Sequence, residues 1–211
     1  MEEKPNQNYL EDIKEIRSMM EKSSRFISLS GLSGISAGVV ALIGAFVAGW
    51  YIKGNIQSAE SQVNRIAAVN LGDILFLLLD AAVVLALALS FATYFAVRKA
   101  RIQGLPVWNK AAELTLINLL IPLATGAAFC LILYYYNIYL LIAPATLLFY
   151  GLALLNASKY TLGEVRYLGI CQIILGLIAM VIPGYTILFW ALGFGILHII
   201  YGAVMYFRYE R

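Results

Sequence analysis

Charge is scarce in this chain of 211 residues. Only 13% of the residues are Asp, Glu, Lys or Arg, whereas 62% are hydrophobic and the mean hydropathy is +0.81. Soluble globular domains carry about 25% charged residues, so this composition excludes an ordinary soluble protein and indicates a membrane protein. The formal net charge of +3 is too small for a nucleic-acid-binding surface, and we expect no nucleic-acid partner.

Cysteine and histidine are equally rare, with two cysteines and one histidine. Cys130 falls near the end of the third predicted helix and Cys171 near the start of the fifth, so the two cysteines lie toward opposite sides of the membrane. They are too far apart for a disulfide, whose Cα atoms must lie within about 7 Å of each other. Neither cysteine forms a metal-ligand spacing with His198. We therefore expect no disulfide, no metal and no cofactor.

Long apolar runs are what the chain does contain. About 20 apolar residues cross a bilayer, and six stretches reach or approach this length: Ile27–Ile52, Gly72–Val97, Leu114–Leu133, Ile138–Leu155, Tyr167–Ile182 and Thr186–Phe207. The sequence predicts an all-α polytopic bundle of six transmembrane helices over residues 27–211, after an amphipathic tail over residues 1–26. These helices leave no room for a soluble enzyme domain, so we do not expect an enzyme.

The basic residues indicate how this bundle lies in the membrane. With the N-terminus inside, two basic residues, Lys53 and Arg65, fall outside, and thirteen fall on the cytoplasmic side: Lys4, Lys14, Arg17, Lys22, Arg25, Arg98, Lys99, Arg101, Lys110, Lys159, Arg166, Arg208 and Arg211. Short cytoplasmic loops are enriched in Lys and Arg. The distribution predicts cytoplasmic termini in a plasma membrane, the inner membrane if the source is bacterial.

The tail over residues 1–26 has one apolar face, formed by Tyr9, Ile13, Ile16 and Met20 at helical spacing. Such a helix lies on the membrane or on the inner loops, or it dimerises as a short coiled coil. The partners we expect are therefore the lipid bilayer together with a membrane-protein partner or a second copy of the chain.

The first span carries two rows of small residues. The first row has four-residue steps and contains Ser33, Ala37, Ala41, Ala45 and Gly49. The second row lies beside it and includes Gly34 and Gly38. Small faces allow close approach of another helix backbone. The sequence predicts a helix-packing face, used either inside the bundle or between two copies.

Asp80 lies inside an apolar run, Ile74–Val97, and His198 lies near the centre of the sixth span. Intramembrane ionisable residues are unfavourable and usually functional. Their depths differ by about 6 Å, so the two form a candidate polar site if their helices adjoin. The alternative is a structural hydrogen bond from either residue to Thr125, Thr146 or a backbone carbonyl.

Two further motifs have structural interpretations. Pro122 lacks an N–H group, so the carbonyl of Asn118 loses its usual donor in the third span. Thr161 and Glu164 have the spacing of a capping box at the start of the fifth span.

Two resemblances complete the sequence analysis. Gly31-Leu32-Ser33-Gly34 resembles the serine motif of rhomboid intramembrane proteases, whose histidine lies on the sixth helix as His198 does. In that family the serine lies on the fourth helix, whereas Ser33 opens the first. A longer stretch, EDIKEIRSMMEKSSRFISLSGLSG, resembles the start of small bacterial six-span membrane proteins of unassigned activity.

Three functions follow as hypotheses. The first is a non-enzymatic membrane subunit, sensor or regulator. The alternative is a small transporter or proton-coupled permease that uses Asp80 and His198, and the remote alternative is an intramembrane serine protease.

Overall fold

Six helices form the part of the chain that the structure describes. The computed structural model describes residues 30–56, 71–104, 106–182 and 184–211. The helices are α1 (Gly31–Tyr51), α2 (Leu71–Ile102), α3 (Lys110–Tyr135), α4 (Ile142–Ala157), α5 (Glu164–Val181) and α6 (Thr186–Tyr209). A π-helical turn, Ile52–Ile56, continues α1, and a 3₁₀ turn, Tyr139–Leu141, leads into α4. The predicted amphipathic tail, residues 1–26, lies outside the described residues.

These six helices are long and apolar enough to cross a membrane. The predicted all-α bundle with six transmembrane helices is therefore confirmed, and the chain is a multi-pass membrane protein. Several helices extend beyond the apolar stretch that predicted them; α2 continues five residues past Val97, to Ile102. Hydropathy marks the part of a helix that lies in hydrocarbon, whereas the helix itself continues into the interface.

The helix starts differ in how they are capped. Asn109 caps α3, because its side-chain oxygen accepts a hydrogen bond from the backbone N–H of Ala112 at 2.8 Å. Gly163 directly precedes α5 and has no side chain to cap the helix, and the capping box of Thr161 and Glu164 stays a prediction. Glu164 accepts from Tyr209 Oη at 2.8 Å and pairs with Arg208 at 2.8 Å, because the end of α6 lies beside the start of α5.

The helices pack in two groups that meet at α6. In one group α2 packs along α1, and in the other α3 and α5 pack on either side of α4; α6 contacts α1, α4 and α5. Helices α3 and α4, and α5 and α6, follow one another in the chain and are also in contact. Because α2 and α3 lie at the edges, they are the least buried of the six helices.

The start of α1 lies beside the ends of α2 and α6. Glu210 accepts from Gly31 N at 2.7 Å and pairs with Lys99 at 3.2 Å. We call this side of the bundle, with Ser30, Lys99 and Glu210, the basic end, and the side with Tyr51 and Asp73 the far end. Among the described residues the far end has Lys53, and the basic end has Arg98, Lys99, Arg101, Lys110, Lys159, Arg166, Arg208 and Arg211.

Candidate functional site

The single histidine joins three helices through buried hydrogen bonds. His198 lies on α6, and its Nε2 atom lies 2.8 Å from Tyr150 Oη on α4. Its Nδ1 atom lies 3.0 Å from the carbonyl oxygen of Gly193. The same carbonyl accepts a hydrogen bond from Gln172 Nε2 on α5 at 2.8 Å. We call Tyr150, Gln172, Gly193 and His198 the polar cluster.

The polar cluster determines which imidazole nitrogen carries the proton. A carbonyl oxygen can only accept, so Nδ1 of His198 must donate to Gly193. A buried imidazole without a carboxylate partner is stable in its neutral form, and Nε2 then accepts from the hydroxyl of Tyr150. Each ring nitrogen has one partner, and the imidazole serves as a bridge between α4 and its own helix.

A π-helical segment of α6, Ala191–Leu197, places Gly193 for these bonds. π-Helical turns disturb the usual ladder of backbone hydrogen bonds and occur often at functional positions. A side chain at Gly193 would displace the tips of its neighbours, because a Cβ there would lie 2.4 Å from Leu147 Cδ2 and 2.6 Å from Gln172 Oε1. The local widening and the missing side chain together let Gln172 of α5 reach the carbonyl.

Aromatic rings surround the polar cluster rather than a cavity. Tyr150 lies 5.4 Å from the ring of His198 and 5.1 Å from that of Phe194, and Trp190 lies 4.8 Å from Phe194. Such ring pairs stabilise packing beyond the area that they bury. The arrangement can hold three helices in register, and among the described residues no group of acids, cysteines and histidine forms a metal site.

Asp80, the second predicted site residue, lies in a different part of the bundle. Its Oδ2 atom would be 3.6 Å from a Cβ on Gly44 of α1, and the side chain is half-buried. The structure does not bring Asp80 to His198, because α2 packs along α1 whereas His198 bonds to α4 and α6. No described residue forms a hydrogen bond or ion pair with Asp80. Asp73, two turns away, accepts from Tyr51 Oη at 2.8 Å.

The small-residue face of α1 lies against α6. A Cβ on Gly34 would come within 3.0 Å of Gly202 Cα, and one on Gly38 within 2.6 Å of Gly195 O. Ser33, Ala41 and Ala45 are buried, and Ala37 and Gly49 are half-buried. Backbone-to-backbone contact of this kind uses the face inside the bundle.

Ser33 and His198 do not form a catalytic pair in this arrangement. The hydroxyl of Ser33 donates to the carbonyl of Ser30, and the imidazole bonds to Tyr150 and Gly193. A serine nucleophile needs its base within hydrogen-bond reach. The geometry around Ser33 is therefore that of a helix start.

Sequence reasoning missed the ionic cluster at the basic end. Glu210 accepts hydrogen bonds from Ser30 Oγ at 3.2 Å and from Gly31 N, and it pairs with Lys99. A carboxylate is favourable at a helix N-terminus, where free N–H groups and the helix dipole attract it. The only signal in the sequence is a glutamate beside the C-terminus, which has no distinguishing pattern.

The comparisons with known proteins add no relative. No family model, no curated protein and no solved structure matches this chain.

Proposed function

We propose that this chain is a non-enzymatic subunit, sensor or regulator of a plasma membrane that binds another membrane protein through α2. The observation that carries this proposal is a row of exposed small residues on α2, formed by Ala82, Ala86 and Ser90. Residues four positions apart share a helix face, and small faces allow a second transmembrane helix to approach closely.

The row points away from the rest of the bundle. Val84 is buried against α1, since its Cγ2 atom would lie 2.2 Å from a Cβ on Gly44. Ala86 is two residues further along, about 200° around the helix axis. Ser90 Oγ donates to the carbonyl of Ala86 at 2.7 Å, so its hydroxyl is satisfied within α2 and leaves the face free for contact.

Asp80 lies off this row, on the side of α2 that faces α1. It is about 40° around the helix axis from the buried Val84 and about 160° from Ala82. Its Oδ2 atom would lie 3.6 Å from a Cβ on Gly44, and no described residue bonds to it. A partner helix on the exposed row would therefore meet small side chains and not this carboxyl group.

The orientation that we propose places the basic end in the cytoplasm. It is supported by the excess of Lys and Arg at that end and by the same excess on cytoplasmic loops of membrane proteins in general.

The proposed contact through α2 is tested by copurification with a variant of its exposed row. The chain is isolated from its own membrane in mild detergent, and bound proteins are identified by mass spectrometry. Ala86→Leu should abolish recovery of a stoichiometric membrane partner, because the bulkier side chain separates the two helices. Ala128→Leu, on the exposed surface of α3, is the matched control and should retain the partner. Equal recovery with both variants would contradict a contact through α2.

A proton-coupled permease is the second candidate, and the half-buried, unpaired Asp80 favours it. Both ring nitrogens of His198 are occupied, so this candidate rests on the carboxyl group alone. Asp80→Asn should then abolish pH-dependent uptake in proteoliposomes, while Asp80→Glu retains part of it. Asparagine keeps hydrogen-bonding capacity but has no proton to exchange, so pH-dependent uptake that survives in Asp80→Asn excludes Asp80 as the proton carrier.

A further inference from the structure

A groove of about 500 Å³ runs between α3 and α4 on the outer surface of the bundle. Its lining includes Pro122 and Thr125 from α3 and Phe149, Leu152, Asn156 and Lys159 from α4 and the turn that follows it. Every residue of this lining lies within the described part of the chain.

Two contacts between α3 and α4 fix the walls of the groove. A Cβ on Gly126 would lie 2.5 Å from Phe149 Cβ, so the helices touch there. Nearer the basic end, Asn156 Nδ2 donates to the carbonyl of Asn118 at 3.0 Å. The groove therefore lies between two helices that contact each other at Gly126 and at Asn118.

The polar groups of the lining are concentrated at the basic end. Thr125 Oγ1 donates to the carbonyl of Ile121 at 2.9 Å, which leaves an apolar surface toward the middle of the bundle. At the basic end Lys159 Nζ donates to Asn156 Oδ1 at 3.3 Å. No carboxylate among the described residues pairs with Lys159, so its charge is available to an anion.

The length of the groove matches one leaflet. Phe149 and Lys159 are ten residues apart, which corresponds to about 15 Å along a helix. This is about half of a hydrocarbon core of about 30 Å. A molecule that fills the groove needs an apolar chain of one leaflet's length and an anionic group at the membrane surface.

We propose that this groove binds an anionic phospholipid, with one acyl chain between α3 and α4 and the phosphate at Lys159. Basic side chains at the cytoplasmic surface attract anionic headgroups, and the apolar lining accepts the chain. This site is separate from α2, so it does not depend on the proposed partner, but it rests on the proposed orientation, which has Lys159 at the cytoplasmic surface.

Native mass spectrometry of retained lipid tests whether the charge of Lys159 contributes to binding. Purified protein is given phosphatidylglycerol or phosphatidylcholine with the same acyl chains, and the wild type should retain the first preferentially. Lys159→Gln should lower the affinity for phosphatidylglycerol about fivefold, and Lys159→Arg should preserve it. Arg166→Gln, an exposed cation at the same end, is the control. Equal retention of the two lipids, or equal loss in both Gln variants, would overturn the proposal.

The apolar part of the site has its own test. Leu152→Trp should fill the groove and reduce retention of phosphatidylglycerol, whereas Leu131→Trp, on the exposed surface of α3 outside the groove, should not. Thermal unfolding in detergent verifies that both variants are folded. Full retention in folded Leu152→Trp would show that the acyl chain lies elsewhere and would refute the site.

Discussion

Asn156 replaces the hydrogen bond that Pro122 removes from α3. A carbonyl without a donor costs several kcal/mol in hydrocarbon, and the carbonyl of Asn118 is the one that Pro122 leaves free. The amide of Asn156 donates to it from α4 at 3.0 Å. The proline thereby frees the acceptor that Asn156 uses, and the resulting bond joins α3 to α4.

Tyr150 should stabilise the bundle through its interhelical hydrogen bond to His198. Tyr150→Phe removes the donor to His198 Nε2, and such bonds contribute about 1 kcal/mol inside membranes. We expect a loss of about 1 kcal/mol in the free energy of unfolding, measured by denaturant titration in detergent micelles. Tyr135→Phe, at an exposed tyrosine, is the control and should be neutral. An equal effect of the two substitutions would mean that the bond to His198 contributes nothing.

At the scale of elements, the contact between α1 and α6 is the closest in the bundle. Glycines on both helices bring the backbones together, and Gly31 and Gly202 show it most clearly, because a Cβ on Gly31 would lie 2.4 Å from Gly202 O. Packing between helices in lipid gains from van der Waals contact and little from the hydrophobic effect. The small residues therefore determine which helix pairs with which.

Gly38→Leu should separate α1 from α6. Its Cβ would lie 2.6 Å from a backbone oxygen, Gly195 O, and a backbone cannot move away as a side-chain tip can. We expect a loss of about 3 kcal/mol or more in the free energy of unfolding. Val40→Leu, at a half-buried position of the same helix, should cost less than about 1.5 kcal/mol. Equal thermal stability of the two variants in detergent would show that the contact is unimportant.

The sequence predicts the six helices but not which side chains of neighbouring helices contact each other. The length of the apolar runs predicts six spans, and the missing N–H of Pro122 predicts a free carbonyl at Asn118. Neither predicts Asn156 as the donor, because that depends on which face α4 turns to α3. Helices in lipid are apolar on all sides, so periodicity does not report their rotation. For the same reason the sequence predicts the depths of Asp80 and His198 in the membrane, but not whether the two side chains face each other.

The π-helical segment of α6 is a second feature without a sequence signal. Its two glycines, Gly193 and Gly195, form no pattern that predicts a π-helical turn. Gln172, which bonds to the carbonyl of Gly193 in this segment, lies on α5, and Tyr150, which bonds to His198 directly after it, lies on α4. Local sequence therefore gives the helix, and tertiary contacts give its irregular turn.

On the scale of the whole molecule, a buried ion pair fastens the ends of three helices together. The side chains of Lys99 and Glu210 are only 8% and 13% exposed, and Glu210 also bonds to the start of α1. Leaving one partner of a buried pair alone is strongly unfavourable. These groups meet on one side of the bundle, so the start of α1 and the ends of α2 and α6 lie on the same side. The described chain therefore begins and ends on that side, which requires an even number of spans.

The side of the membrane that this end faces can be measured by cysteine labelling. In a background with Cys130 and Cys171 replaced by alanine, Gln103→Cys marks the basic end and Tyr136→Cys marks the far end; both positions are exposed. The proposed orientation has the basic end in the cytoplasm, as the positive-inside rule predicts, so an impermeant thiol reagent should label only Tyr136→Cys in intact cells. Both should react after permeabilisation. Labelling of Gln103→Cys in intact cells would invert the orientation and move the proposed lipid groove to the outer leaflet, where the headgroups are no longer those of the cytoplasmic surface.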